Sequence, residues 1–478
     1  MLRTLFIGVV SQRALILFLA IIVAATGMLA WRELPIDAFP DVTNVQVMIL
    51  TDAPGMAPID VERQVTYPIE LDMAGLPNVK LIRSLSKAEL SLVVVVFEDD
   101  TDIYFARQLV FERLQSAREK LPDWAEPELG PVSTGLGEIY QYTLESDSHS
   151  LMELRTIQDW LVAPMLRPLK GVTEVNTFGG FIRQYQILVD PIRLEQYGID
   201  VRDVVEAMAA NNANTGGGYI VKGEEQAYVR CVGLLNNVED IANVVLKAKD
   251  GTPVLVRDIA DVTKGRNLRQ GAVTRDGSGE VVCGMVILLK DANSRKVVNA
   301  VKKTIPAVQA ALPKGVKINT WYDRTSLIQE CVSTISSSIE NGAILVIFAL
   351  LLLLGSLRTA IVVIVSLPFT ALITFIAMKA LGITANLMSL GGLAVAIGMV
   401  VDSSIMVAEN MLRRLGENDR RTEKSLLRAA VRGCMEVARP LLFAEAIIIV
   451  TFIPLLTLVG MEGKMFHPLA KTLCIAIV

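Results

Sequence analysis

The chain has 478 residues, of which 52% are hydrophobic and only 20% charged. That balance is too apolar for an average soluble protein and too polar for a chain made only of spanning helices. A net charge of −4 leaves no basic stripe to neutralise phosphates, which argues against a nucleic-acid partner.

Residues 14–31 carry no charge and are long enough to cross about 30 Å of hydrocarbon, with Arg3 and Arg13 before them. The run exceeds a signal-peptide core, and its small-residue sites lie inside the apolar stretch, so it reads as a retained first helix. From residue 40 to 330 the pattern alternates between strand and helix. VTNVQVMIL (42–50) predicts a strand, and residues 59–76 predict an amphipathic helix with apolar positions three and four apart. LIRSLS and ELSLVVVVFE predict two further strands, followed by a helix over 101–121 that Asp100 or Thr101 can cap. The order β-α-β-β-α is that of a split βαβ, ferredoxin-like unit.

An echo follows. Asn78-Val79-Lys80 before a strand and Asp99-Asp100 before a helix correspond to Gly171-Val172 before a strand and Asp190-Pro191 before a helix at 199–210. A duplicated α/β unit is the economical reading. The glycines of residues 211–235 predict a protruding hairpin. Residues 252–263 add a short strand region, and 283–290 with 292–312 return to the strand-then-helix pattern.

Three runs without Asp, Glu, Lys or Arg come next, at 341–357, 359–378 and 380–401, divided only by Arg358 and Lys379. A fifth span is expected over roughly 438–461, opened by Pro440 in a first-turn position. Pro368 and Pro454 are tolerable inside membrane helices. A sixth run begins near Met465 and meets Val478 before it can cross, so the sequence is expected to continue. Arg413, Arg414, Arg420, Arg421, Lys424, Arg428, Arg432 and Arg439 crowd residues 411–439. That bias predicts a cytoplasmic stretch there, an outer position for 33–335 and an inner N-terminus. In a Gram-negative cell the outer space is the periplasm.

Five cysteines, Cys231, Cys283, Cys331, Cys434 and Cys474, show no CxxC spacing and read as small buried hydrophobes. With only His149 and His467, any metal site must rely on carboxylates or methionines. Asp402 and Glu409 are the most informative acids, in GMVVDSSIMVAEN (398–410) at the inner end of an apolar helix. Seven residues bring a helix back almost to the same face, about 10 Å further along its axis. An ionised carboxylate at the bilayer centre costs about 2.5–3.5 kcal/mol on insertion scales. Such a group faces a polar interior, pairs with a cation or exchanges a proton. Asp402, the deeper, reads as a proton carrier, with a static ion pair as the alternative. No Lys or Arg lies mid-span, so a cationic partner must come from further sequence or another chain. Glu409 is a second relay candidate, with a snorkelling surface acid as its alternative. Glu445 in LLFAEAIII is also apolar-flanked, and its role stays open.

The segments PIDAFPDVTNVQV (35–47), APGMAPIDVERQVTYPIE (53–70), GPVSTGLGEIYQYTL (130–144), GVTEVNTFGG (171–180), NLMSLGGLAVAIGMVVDSSIMVAEN (386–410) and GKMFHPLA (463–470) occur in this order. Through them the chain resembles, over essentially its whole length, the N-terminal half of the resistance-nodulation-division (RND) superfamily, specifically its heavy-metal efflux pumps. The resemblance implies a membrane α-helical bundle plus an α/β periplasmic domain, the RND porter fold with ferredoxin-like split βαβ subdomains. It implies a first transmembrane helix at 1–32, a first porter subdomain at 33–134 and a second at 135–180 and 276–335. A docking subdomain with the protruding hairpin would occupy 181–275, and transmembrane helices two to five with a partial sixth would occupy 336–478. It further implies a homotrimer in the inner membrane, coupled to a periplasmic adaptor (membrane fusion) protein and an outer-membrane channel. No bound cofactor is implied; protons are the coupling ion and a divalent metal cation is the cargo.

The family's relay carboxylates map onto Asp402 and Glu409. The cobalt-, zinc- and cadmium-exporting branch has a further Asp six residues before the first, where this chain has Ala396. Copper and silver exporters use methionines, one of them where this chain has Leu268, and carry an aromatic residue where it has Glu138. Met388 matches a channel methionine of copper pumps, but MSLGG is general to the subfamily. In zinc-exporting relatives, acids near the positions of Glu138 and Glu174 help bind the ion. Carboxylate oxygens suit hard or borderline divalent ions, as thioethers suit monovalent copper. Glu138 and Glu174 are thus the candidate cation ligands, with exposed strand-end acids as the alternative reading. The expected function is proton-driven export of divalent heavy metals, not enzymatic catalysis. Alternatives are a multidrug-type or copper/silver RND pump, or a non-transporting membrane-anchored remnant or scaffold. Aromatics at 6% and Glu138 argue against the multidrug pocket, and no nucleophile–base constellation or P-loop is present.

Overall fold

Two antiparallel sheets with the same strand order organise the extramembrane part. In the first, Gln46–Asp52 lies between Leu90–Phe97 and Pro127–Leu129, with Val79–Lys87 beyond Leu90–Phe97. In the second, Glu138–Glu145 lies between Glu280–Leu288 and Lys317–Asp323, with Val172–Phe178 beyond Glu280–Leu288. The computed structural model describes residues 7–8, 12–249, 252–269, 271–277, 279–354, 357–417 and 422–478; Arg3, Arg420 and Arg421 lie outside them.

Each sheet buries one face under two helices. Val47 and Ile49 meet Val65, Ile69, Val110 and Leu114 in the first core, while Tyr142, Leu144, Leu166 and Val301 share the second. The alternation of buried positions along Gln46–Asp52 is the period-two signature of a strand with one covered face. Both units repeat a finer detail. The first helix of each widens into a π-turn, Glu62–Thr66 and Gln158–Val162, just before Pro68 and Pro164. Proline lacks an N–H and its ring crowds the carbonyl four residues back, which the wider turn relieves.

The second unit is interrupted between Val172–Phe178 and Glu280–Leu288. The interruption has its own small core of Leu194, Val204, Val256 and Ile259. It also carries the hairpin Thr215–Lys222 and Glu225–Cys231, exposed along its whole length. The helix predicted at 199–210 belongs to this interruption, as Val201–Asn211. In the duplicated unit the counterpart of Ile103–Arg118 is instead Ser294–Ala311, which follows the strand paired centrally in its sheet. An acid ahead of a helix is a capping signal that recurs at any helix start, so it does not mark homologous helices. Cys231 also departs from expectation: it is exposed on the hairpin, whereas Cys283 and Cys434 are buried.

The helices Arg13–Glu33, Arg324–Leu354, Leu357–Ala380, Leu387–Gly416, Glu423–Leu456 and Gly460–Ile477 form the apolar bundle. Among the described residues four stretches are long and apolar enough to cross a membrane: Ala14–Glu33, Val363–Ala380, Leu387–Gly416 and Ser425–Leu456. The run expected at 380–401 begins later and ends later than its apolar composition suggests. A turn at Gly382, with φ of +67°, delays the start to Leu387, and polar residues do not stop the helix before Gly416. Pro440 does not open the fifth helix either. It sits inside Glu423–Leu456, so Arg428, Arg432 and Arg439 lie on that helix rather than in a loop. The last helix starts at Gly460, ahead of the expected Met465.

Glycines set the close approaches. A Cβ on Gly392 would stand 2.5 Å from the carbonyl oxygen of Leu469, and one on Gly27 would stand 2.6 Å from Cβ of Leu372. Helices in a membrane gain from such small-residue contacts because apolar burial alone drives no association there.

Charged ties cluster at the end of the bundle that adjoins the sheets. Lys379 pairs with Glu33 between two bundle helices, Arg324 pairs with Asp37 of the following connector, and Lys464 reaches Asp99, just after strand Leu90–Phe97, at 2.5 Å. At the opposite end Arg414 bridges Glu436 at 2.7 Å and Glu417 at 2.8 Å.

Candidate proton relay and cation site

Helix Leu387–Gly416 is packed on several sides. Val401 and Ile405 meet Val363 and Leu367 of Leu357–Ala380, while Ala396 and Met399 meet Leu473 of Gly460–Ile477 and Ile448 of Glu423–Leu456. One stripe remains uncovered: Val395, Gly398, Asp402, Met406 and Glu409 are all exposed at three- and four-residue spacing. The two acids therefore share a single open face. Asp402 stands at the midpoint of the 30-residue helix, not at its inner end, because the helix continues beyond the apolar run. Among the described residues neither acid has an ion-pair or hydrogen-bond partner. Polar links from this helix run instead through Ser404, whose Oγ lies 3.4 Å from Ser366 Oγ of Leu357–Ala380, and through Asn410, whose Nδ2 donates to the Gly433 carbonyl at 2.7 Å.

Asn386 fixes where this helix begins. Its Oδ1 accepts the backbone N–H groups of Met388 at 3.1 Å and Ser389 at 2.9 Å, and Ser389 Oγ accepts the Asn386 N–H at 2.9 Å. This reciprocal cap satisfies donors that would otherwise be stranded. Ala396 is fully buried against Leu473 and Ile477, so a carboxylate at that position would enter an apolar contact. Glu445 is half-buried. It falls on the covered stripe of its helix, with Cys434 and Ala438 buried before it and Ile448 and Phe452 packed after it.

Glu138 and Glu174 lie 36 residues apart in number and are brought to one row of the second sheet. Both are in register with Ile287, from the two strands that flank Glu280–Leu288. Two inter-strand spacings separate their backbones by about 9.5 Å. Glu138 is exposed at the strand's first residue, where its Oε2 accepts Gln141 Nε2 at 2.9 Å. Gln141 is itself buried, so it holds the carboxylate in one orientation. Among the described residues no group of three or more His, Cys, Asp and Glu side chains is close enough to hold a metal ion. A cation here would need donors beyond this pair, since even tetrahedral ions take four. Leu268 is 88% exposed at the rim of a cavity of about 520 Å³ that Arg155, Phe178 and Arg269 also line.

Sequence reasoning overlooked Gln141 and Arg324. Gln141 is one more polar residue of an alternating strand, and Arg324 stands where a strand turns directly into a long helix. Gln141 meets Glu138 three residues away, but Arg324 gains its partners only through the pairing of distant segments.

A bundle of apolar helices with acids on an open face, carrying a duplicated split βαβ unit at one end, defines a membrane transporter of the RND type. A sequence profile of the AcrB/AcrD/AcrF family matches residues 5–478, and the chain belongs to that family. It is 43% identical over 482 residues to the cobalt-zinc-cadmium resistance protein CzcA of Cupriavidus metallidurans, covering 98% of this chain and 45% of the relative. It is 44% identical over 479 residues to Protein HelA of Legionella pneumophila, with 98% of this chain and 45% of the relative covered. An X-ray crystal structure of a heavy metal efflux pump superposes with a TM-score of 0.89 at 35% identity, over 100% of this chain and 46% of that one. The chain thus spans about half the length of the relatives it matches.

Proposed function

We propose that the chain is part of a proton-driven antiporter that exports divalent heavy-metal cations across the inner membrane of a Gram-negative cell. Asp402 and Glu409 carry the protons, and Glu138 with Glu174 contributes to the cation's path. The observation that carries this reading is the open stripe. Two carboxylates about 10 Å apart on one face of a packed membrane helix are poorly placed for stability and well placed to exchange protons with a facing polar group. That facing group is supplied by protein outside this chain, in keeping with relatives about twice as long.

Carboxylate oxygens at Glu138 and Glu174 favour hard or borderline divalent ions over monovalent copper. The name of the cobalt-zinc-cadmium relative is in keeping with that class. The working assembly is a homotrimer with a periplasmic adaptor and an outer-membrane channel. The sheets face the periplasm, and the N-terminus and the Arg414 end lie in the cytoplasm. The basic residues Arg413, Arg414, Arg428 and Arg432 support that orientation.

Replacement of Asp402 by Asn in the full-length protein tests the relay. Metal resistance should be lost while the amount of protein in the membrane is unchanged; retained resistance sinks the assignment. Growth across zinc, cobalt, cadmium, nickel, copper and silver tests the cargo class, and protection confined to copper and silver would overturn it.

A further inference from the structure

Arg324 ends one sheet and begins one membrane helix, for strand Lys317–Asp323 runs directly into Arg324–Leu354. Its side chain is only 7% exposed. Nε donates to Asp37 Oδ1 at 2.9 Å, Nη2 lies 2.8 Å from the same oxygen, and Nη1 donates to the carbonyl of Leu136. Leu136 is two residues before Glu138. Asp37 leads in the other direction. Its N–H donates to the Ala385 carbonyl at 3.0 Å, the Ala385 N–H donates to Pro35 at 2.9 Å, and the Leu387 N–H donates to Ala38 at 3.1 Å. Ile36 and Ala385 form a parallel bridge beside these bonds. Ala385 precedes Asn386, the cap of the helix that bears Asp402 and Glu409.

We propose that Arg324 is the positioning residue that transmits displacement of helix Leu387–Gly416 to the strand opening with Glu138, and so links proton exchange to cation handling. This rests on the antiporter reading above. The physical basis is the shape of the guanidinium. One edge grips a carboxylate tied to the helix cap, and the remaining nitrogen grips a backbone carbonyl beside the candidate ligand. A nearly buried charge resists losing either partner, so the two segments move together. A cavity of about 300 Å³, lined by Asp37, Thr134, Leu136, Arg324 and Thr384, borders the joint and leaves room for that movement. A lysine keeps the charge but lacks the fork, so it can serve Asp37 or Leu136 but cannot hold both in the same geometry.

The test uses the full-length protein in proteoliposomes, with zinc as the probe ion. Zinc-driven proton flux and zinc affinity are measured for wild type, Arg324→Lys, Arg324→Gln and Asp402→Asn. Arg324→Lys should accumulate normally and bind zinc within about threefold of wild type, while proton flux per zinc falls at least tenfold. Arg324→Gln should lose flux at least as strongly; if it fails to fold, Arg324→Lys alone decides. Wild-type flux and stoichiometry in Arg324→Lys would overturn the positioning role and leave the antiporter reading standing. Equal losses of zinc affinity and flux in Arg324→Lys would also overturn it, since that marks a merely structural contact. No zinc-driven flux in the wild type would remove the antiporter reading and the coupling role together.

Discussion

Glu138 and Glu174 stand on either side of Ile287, each in register with it across a separate strand pairing. The register makes them a pair only because Glu280–Leu288 inserts between two strands that are neighbours in the chain. If the row lies on the cation path, removing either carboxylate weakens binding. Glu138→Ala and Glu174→Ala in the full-length protein should each lower zinc affinity at least tenfold by titration calorimetry. Gln141→Leu should lower it by a smaller factor than either alanine variant, because it removes the group that orients the carboxylate and leaves the carboxylate itself. Unchanged affinity in both alanine variants would return these acids to ordinary strand-end surface.

Glu445 is apolar-flanked like Asp402, but it faces the covered side of its helix, in the stripe of Ala438, Ile448 and Phe452. Asp402 faces the open stripe. Glu445→Gln should therefore keep metal resistance and proton flux within about twofold of wild type (a change of under about 0.4 kcal/mol in barrier). Asp402→Asn should abolish both. A loss in Glu445→Gln as deep as that in Asp402→Asn would place the third acid in the relay.

Gly392 lies where a Cβ would come within 2.5 Å of a backbone oxygen of Leu469. Backbone cannot yield as a side chain does, so Gly392→Val forces the two helices apart. Overpacking of this kind typically costs about 1–3 kcal/mol. A lower melting temperature of the detergent-solubilised full-length protein is the expected result. Gly392 lies on the helix that carries Asp402, so transport by the folded variant should fall as well.

Glu145 gives a pH signature outside the membrane. Burial alone would raise its pKa, but hydrogen bonds from Thr143, Arg275 and Asn319 and the charge of Arg275 hold it below its ordinary value of 4.5. A lowered carboxylate contributes stability above its unfolded pKa and loses it as pH falls through the folded one. The stability deficit of Glu145→Gln should be largest at neutral pH and shrink as pH drops below 4.5. The side chain is partly exposed, so the deficit should be at most about 1 kcal/mol. Thermal melts of wild type and variant from pH 7 to pH 3 (roughly the span over which such a group titrates) check it.

Strand Gln46–Asp52 of the first unit was readable from local periodicity, because it buries a single face, whereas Leu90–Phe97 is buried on both faces from Val93 onward and reads instead as a continuous β-branched run. Boundaries near prolines were less readable. Pro440 looks like a helix opener in isolation and lies within Glu423–Leu456, since neighbouring membrane helices tolerate its missing hydrogen bond. The 199–210 helix misled for a different reason. Its cap and amphipathic face are real, but nothing local says that it belongs to an insertion rather than to the duplicated unit.

By itself the sequence determined the class of molecule: apolar runs of spanning length, two acids one heptad apart, and motifs in an order that resembles one transporter family. Those properties follow from composition and helical geometry, which act over a few residues. Tertiary structure alone decided that the face bearing Asp402 and Glu409 is the uncovered one, and that Glu138 and Glu174 share a row. It also decided that Arg324 joins segments 287 residues apart in the chain. Such relations arise from the pairing of distant strands and the packing of helices, and no local pattern encodes which partner a side chain will meet.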